Sequence, residues 1–359
     1  GCSVDAVHRH MVDRFDSVTE SGEDLTDRCA ETIGRHIDRT GLDKSQYIVT
    51  VFNPTQEKWG GAVEAIVQIP LEEDKGTVAF TDADGKPVDF TILSREVKEI
   101  RILSPINLPG SKTVAEYKLH IWAGGIQGIS YKSFIAKPAE GGIVLPVSEP
   151  CNAYELDNEF MSVKINSNGT LDITDKKIGA LYSGLLLLED MEDHGTAYIN
   201  EEFGAPVTSS RVKAAVEVTE QSRFVQSRRI RYEFAFERDG YKCIPVDINI
   251  SLKRGVPYLS ADITVDNNID DHRLRVHFPT GIDCDENYAG VPFGVEKRPK
   301  VSPFSNDKTH PNTDYVGIED GARGIAIFNT GLYEYEQLNE DGNPLAVTLL
   351  RATGRITGG

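Results

Sequence analysis

Cysteine is scarce: five in 359 residues, scattered at Cys2, Cys29, Cys151, Cys243 and Cys284. The odd number and irregular spacing give no disulfide framework, and with no Cys-x-x-Cys pair they spell no zinc cluster. A reducing, cytoplasmic setting is the expectation. Long apolar runs are also missing. None approaches the roughly 18 residues that span a bilayer, and no basic stretch followed by an apolar core opens the chain, so neither a membrane span nor a signal peptide is expected. Basic charge is in deficit, with 38 Lys and Arg against 56 Asp and Glu for a formal net charge of −18. That balance repels polyphosphate and anionic lipid and argues against nucleic-acid or membrane partners, while a neutral sugar is indifferent to it.

What is present begins with one helical stretch. Over residues 3–38, Val4, Val7, Met11, Phe15, Val18, Leu25, Cys29, Ile33 and Ile37 recur at spacings of three, four and seven, which places them on one helical face. Ser3 or Asp5 is available to cap the start and Gly41 to mark the stop. Unbroken at Gly22, such a helix is roughly 50 Å long. Its apolar stripe needs partners, and nothing later in the chain repeats at the helical period, so those partners are expected upstream or in another chain.

From Tyr47 the period becomes two. Residues 48–52, 62–69, 77–80 and 113–122 alternate between Asn-Pro, Asp-Gly and Pro-Gly turns, which predicts a small β-sandwich closing at a linker from Pro138 to Pro150. Longer alternating runs follow at 228–236, 243–254 and 258–267 and predict a large two-sheet sandwich. Between them, residues 154–198 read as two strands joined by an Asn168-Gly169 turn, then a polar loop ending in Tyr198. The fold class is therefore mainly β: a long N-terminal helix over 1–44, a small β-sandwich over 45–145 and a large β-sandwich over 146–359. A length beyond the roughly 250 to 300 residues that one core supports agrees with several units.

Several of these segments resemble glycoside hydrolase family 38, the retaining α-mannosidases, in family order. They are Leu156-x-Asn158 with Val163, Gly169-Thr170-Leu171 with Ile173 and Asp175-Lys176, Val51 to Pro54, Val256 to Asn267, His272 to Gly281, Ala322 to Glu336 and Leu345 to Ile356. The resemblance implies a mutarotase-like architecture for the large sandwich and a helical-bundle origin for the first helix. Gly1-Cys2-Ser3-Val4-Asp5-Ala6-Val7-His8 is similar to the run that follows a zinc-binding His-Asp pair in the family. The resemblance thus implies that zinc, the nucleophile and the acid/base carboxylate belong to a preceding catalytic domain of the parent polypeptide, with no catalytic or metal-binding residue in this chain. It also implies an α-mannoside substrate, a cytoplasmic subgroup similar to mannosylglycerate hydrolases, and a chain inactive by itself. A further end beyond Gly359 and a homo-oligomeric assembly are compatible with it.

By the same resemblance Tyr198 faces the sugar pocket, and Arg351 or Arg355 closes it, since a guanidinium fork chelates vicinal hydroxyls or a carboxylate. The plainer alternatives are a packed loop tyrosine and surface arginines at a strand edge. Asp190, Glu192 and Asp193 read as a solvated acidic loop. Asp320 and Arg323 read as a turn ion pair. His272 and His277 are five apart and fall on opposite strand faces, so they do not make joint metal ligands. His8, His10 and His36 belong to the helix, and Trp59 and Trp122 are sugar-stacking or core candidates. Besides a purely structural or assembly role, two rival functions stand beside the hydrolase. One is a stand-alone carbohydrate-binding protein. The other is a mutarotase-like epimerase, which requires His272 or His277 to converge with a glutamate on one sheet face.

Overall fold

The computed structural model describes residues 4–103, 106–143, 151–196, 199–301 and 308–355. Among them the fold is mainly β, with one α-helix, α1 (Asp5–Arg35). Gly22 does not interrupt it, and at 1.5 Å per residue it is about 46 Å long. Its N-cap is Val4, without a side-chain cap bond, and it ends at His36, five residues before Gly41, whose φ of +86° serves the next turn. None of its residues is buried.

The chain divides into two compact units, one over most of residues 1–143 and one over most of 144–359. The smaller unit holds two three-stranded sheets. One has the order β1 (Tyr47–Asn53), β6 (Ser130–Glu140), β3 (Gly76–Asp82), and the other β2 (Trp59–Pro70), β5 (Gly110–Ile126), β4 (Phe90–Ile102). Strand β6 runs through Pro138, where the sequence predicts a linker. Its pairing with β1 ends at Ala136, while pairing with β3 continues to Glu140. The ladder is one-sided at Pro138, which is where a strand tolerates a missing N–H.

The larger unit contains four sheets, all antiparallel in the pairings described. The first has the order β10 (Leu181–Leu185), β9 (Leu171–Asp175), β8 (Met161–Ile165), β7 (Glu155–Asp157). The β8–β9 hairpin turns at Asn168-Gly169 as the sequence predicts. The second has six strands, in the order β12 (Glu202–Thr208), β11 (Leu187–Asp193), β17 (His272–Pro279), β24 (Pro344–Ala352), β23 (Glu334–Gln337), β20 (His310–Pro311). The third runs β13 (Ala215–Gln221), β14 (Val225–Glu237), β15 (Tyr241–Lys253), β16 (Leu259–Val265). The fourth runs β19 (Gly294–Pro299), β18 (Glu286–Val291), β21 (Tyr315–Glu319), β22 (Gly324–Phe328).

One buried cluster draws on all four sheets, with Val163 and Ile165 from the first, Leu188, Leu274, Val276 and Val347 from the second, Ile230, Phe234 and Ile248 from the third and Val316 from the fourth. Alternation puts the odd residues of β11 and β17 on the face away from this cluster. That face is not solvated: it carries a dense set of charges.

Candidate functional site

Strands β11 and β17 pair so that Glu189 lies opposite Arg275, and Leu187 opposite His277. The i, i+2 spacing of Arg273, Arg275 and His277 then projects three basic side chains from one strand face onto Glu189 and the carboxylates of β23 and β12. Arg275 Nε donates to Glu189 Oε1 at 2.8 Å and Nη1 to Glu336 Oε2 at 2.7 Å, so one guanidinium bridges two carboxylates. His277 Nε2 lies 3.4 Å from Glu189 Oε2 without hydrogen-bond alignment. Arg273 pairs with Glu202 and, at 3.5 Å, with Glu334, which also accepts from Thr348 Oγ1 at 2.7 Å. Arg273, Arg275, His277 and Glu189 are all buried.

The two carboxylates on Arg275 are driven apart in acidity. Burial alone would raise Glu189, but the His277 ring and the Arg275 charge outweigh it and hold the group at about 2. Burial prevails at Glu336 and raises its pKa despite Arg275. His277 and Glu189 do converge on one face, the arrangement an epimerase requires. Yet a carboxylate held near 2 by a guanidinium fork has little affinity for a proton at neutral pH and makes a poor base. The cluster is therefore an ionic brace across β11, β17 and β23. Its signal in the sequence is the alternating Arg273, Arg275, His277 triplet.

The same two strands also correct the reading of an acidic, solvated loop: by alternation Asp190 and Glu192 lie on the opposite face and Asp193 on the charged one. Asp190, Glu192 and Asp193 stand on β11, and Asp190 and Asp193 are buried. Asp190 pairs with Arg238 and with His272 Nδ1, while His272 Nε2 lies 2.9 Å from Asn267 Oδ1. His272 and His277 thus face opposite sides, as their spacing predicts.

Arg351 is no surface arginine. On β24 it lies opposite Arg273, and its Nε donates to Asp193 Oδ2 at 2.8 Å. Its Nη2 donates to the carbonyls of Thr196 at 3.1 Å and Ile199 at 3.3 Å. Asp193 Oδ1 accepts the backbone N–H groups of Gly195 and Glu201, both at 2.9 Å, and Thr353 Oγ1 donates to Gly195 O at 2.7 Å. These bonds clasp both ends of the loop 194–201. A Cβ on Gly195 would meet Ile199 O at 2.0 Å, so the loop closes only around glycine. The backbone donors and Arg351 lower the Asp193 pKa against the opposing effect of burial. Tyr198 lies outside the described residues. Arg355 is exposed, and its backbone N–H reaches Thr353 Oγ1 at 3.3 Å.

Asp320 and Arg323 form the expected turn pair at 3.8 Å. His8 and His10 are exposed on α1, and Trp59 and Trp122 are half-buried. Among the described residues no three His, Cys, Asp or Glu side chains are arranged to hold a metal ion, so these residues do not fit a zinc ion.

Comparison with known proteins follows from this geometry. Residues 156–355, which contain every strand of the larger unit but the first residue of β7, match the sequence profile of the glycosyl hydrolases family 38 C-terminal domain. The chain belongs to glycoside hydrolase family 38. A putative mannosylglycerate hydrolase of Halalkalibacterium halodurans is 24% identical over 415 residues, covering 99% of this chain and 45% of that protein. An α-mannosidase from Enterococcus faecalis V583 superposes with a TM-score of 0.87 at 27% identity, covering 100% of this chain and 45% of that one. A second family 38 protein from Enterococcus faecalis gives a TM-score of 0.85 at 26% identity, covering 47% of its own length. The family 38 chain thus spans just under half the length of these relatives.

Proposed function

We propose that this chain is the middle and C-terminal part of a retaining, zinc-dependent α-mannosidase, in which it scaffolds a catalytic domain and walls one side of the sugar pocket. The observation that carries this reading is the likeness along the whole chain to an α-mannosidase of about twice the length. In this reading α1 is the last helix of a bundle, which accounts for its unburied apolar stripe. The smaller unit is a β-sandwich, and the larger is a mutarotase-like sandwich.

Retaining hydrolysis needs two carboxylates about 5 Å apart facing the sugar. The buried carboxylates described here are committed to arginines, so the reacting pair and the zinc are assigned to the part of the relatives' length outside this chain. The wall of the pocket is the loop 194–201, with Asp193 and Arg351 fixing its ends and Tyr198 as the sugar contact. Arg351 acts here as a positioning residue, and Arg355, being exposed, is the arginine free to meet a hydroxyl. The described cysteines are free, which suits a cytoplasmic protein.

The test is hydrolysis of an aryl α-mannoside by this chain and by a longer polypeptide carrying the missing half. The longer protein is expected to turn over with zinc and this chain to show no rate above background. Comparable rates from both would overturn the proposal.

A further inference from the structure

A surface pocket of about 430 Å³ lies between the β8–β9 turn and the segment leading into β13, lined by Asn166, Asn168, Thr170, Ser210, Arg211 and Lys213 together with Ser167 and Val212. It is distinct from the charged sheet face and from the loop 194–201. Its floor is rigid. Gly169 has φ +84°, and a Cβ there would meet Ile230 and Tyr232 at 3.1 Å, so the turn lies directly on β14. Asn168 Nδ2 donates to Ser210 O at 3.3 Å and Ala214 N–H to Ser167 O at 2.9 Å, joining the two walls.

The polar groups of the turn are mostly engaged with one another. Asn168 Oδ1 accepts from Thr170 N–H at 3.2 Å and from Thr170 Oγ1 at 2.8 Å, and Asn166 Nδ2 donates to Thr170 Oγ1 at 3.1 Å and to Asp172 Oδ1 at 3.0 Å. Asp172 Oδ1 also accepts the Gly184 N–H at 3.0 Å. The side chains left over are donors. Val212 has extended backbone with φ −69° and ψ 161°, and it packs against the core. Arg211 and Lys213 therefore leave the chain on the same, exposed side. Among the described residues neither has a carboxylate partner, although Arg229, Arg231, Arg238, Arg273, Arg275, Arg298 and Arg351 of the same unit are all paired with acids.

We propose that this pocket is a binding site for a phosphate group, held by Arg211 and Lys213 with the Ser167 hydroxyl. A guanidinium fork and an ammonium are the donors that match phosphate oxygens, and charge-assisted bonds of this kind are the stronger class. The net charge of −18 opposes any anion at long range. Screening over about 10 Å at 0.1 M salt leaves the two nearby cations to dominate. The pocket has room for more than the ion, so a free phosphate and a phosphorylated sugar share the recognition chemistry. The inference stands independently of the mannosidase reading.

Isothermal calorimetry on the whole chain at about 0.1 M salt, with inorganic phosphate, mannose 6-phosphate and neutral mannose, tests it. Saturable binding of a phosphate-bearing titrant, with none for mannose, is expected. Tighter binding of mannose 6-phosphate identifies the ester as the ligand, and equal binding identifies the free ion. Because both cations are exposed, Arg211→Gln and Lys213→Gln leave the fold intact, and each should weaken binding on the order of tenfold. The proposal is overturned if neither phosphate titrant saturates, if the double variant binds as the parent does, or if Lys44→Gln on the smaller unit weakens binding equally.

Discussion

Arg351 and Asp193, 158 positions apart in sequence, meet through Nε and Oδ2 at 2.8 Å. Together they close the loop 194–201 from both ends. Asp193→Ala would leave the guanidinium unmatched and two N–H groups, the buried one of Gly195 and that of Glu201, without their acceptor. A loss of roughly 2 to 4 kcal/mol is expected from such a break. Hydrogen exchange should show Gly195 and Glu201 losing protection first, ahead of the β14–β15 ladder. Unchanged protection in the variant would remove the clasp.

Arg275 holds two carboxylates, buried Glu189 and half-buried Glu336, and replacing it with Ala strands both. The expected cost is about 3 to 5 kcal/mol, read from urea unfolding of the variant beside the parent. Glu189→Gln should cost less, because it also removes the charge that Arg275 compensates.

Acid stability should follow Glu189. Its folded pKa of about 2 lies below the ordinary value of 4.5, so its contribution is fully present above pH 4.5 and is lost as pH falls toward 2. Integrated over that interval the loss is roughly 3 kcal/mol. Asp193, also lowered, adds to it, whereas Glu336, raised by burial, recovers some stability on protonation. Urea midpoints measured from pH 6 to 2.5 should fall steeply in the parent and less steeply in Glu189→Gln.

Gly169→Ala combines a left-handed backbone with contacts at 3.1 Å to Ile230 and Tyr232. A destabilisation of about 1 to 3 kcal/mol is expected. Gly41→Ala, with φ +86° but open space around it, should cost less. Equal thermal shifts for the two would show that the packing under the turn adds nothing.

Phe15, exposed on α1, provides the opposite case. Phe15→Glu in this chain should shift stability by no more than about 0.5 kcal/mol, because nothing buried is lost.

These elements also mark what the sequence could reveal. The β8–β9 hairpin was legible because alternation and an Asn-Gly turn act within fifteen residues. The helix was legible in extent, though its start rests on Val4 rather than on Ser3 or Asp5. Strand β6 was hidden by Pro138, a residue that excludes strand unless one neighbour has already left. Asp190 and Asp193 looked solvated because their partners, His272 and Arg351, come from strands eighty and more positions later. Local charge reports burial only when the compensating charge is also local.

Arg228 is fully buried yet meets no carboxylate. Its guanidinium donates to the carbonyls of Asn152, Ala153, Glu155, Glu220 and Ser227 and to Gln221 Oε1. Carbonyl oxygens do not titrate, so the strap that ties the segment before β7 to β14 is indifferent to acid. On acidification the chain should come apart in a fixed sequence, with the carboxylate-braced sheet loosening while the region anchored by Arg228 stays closed.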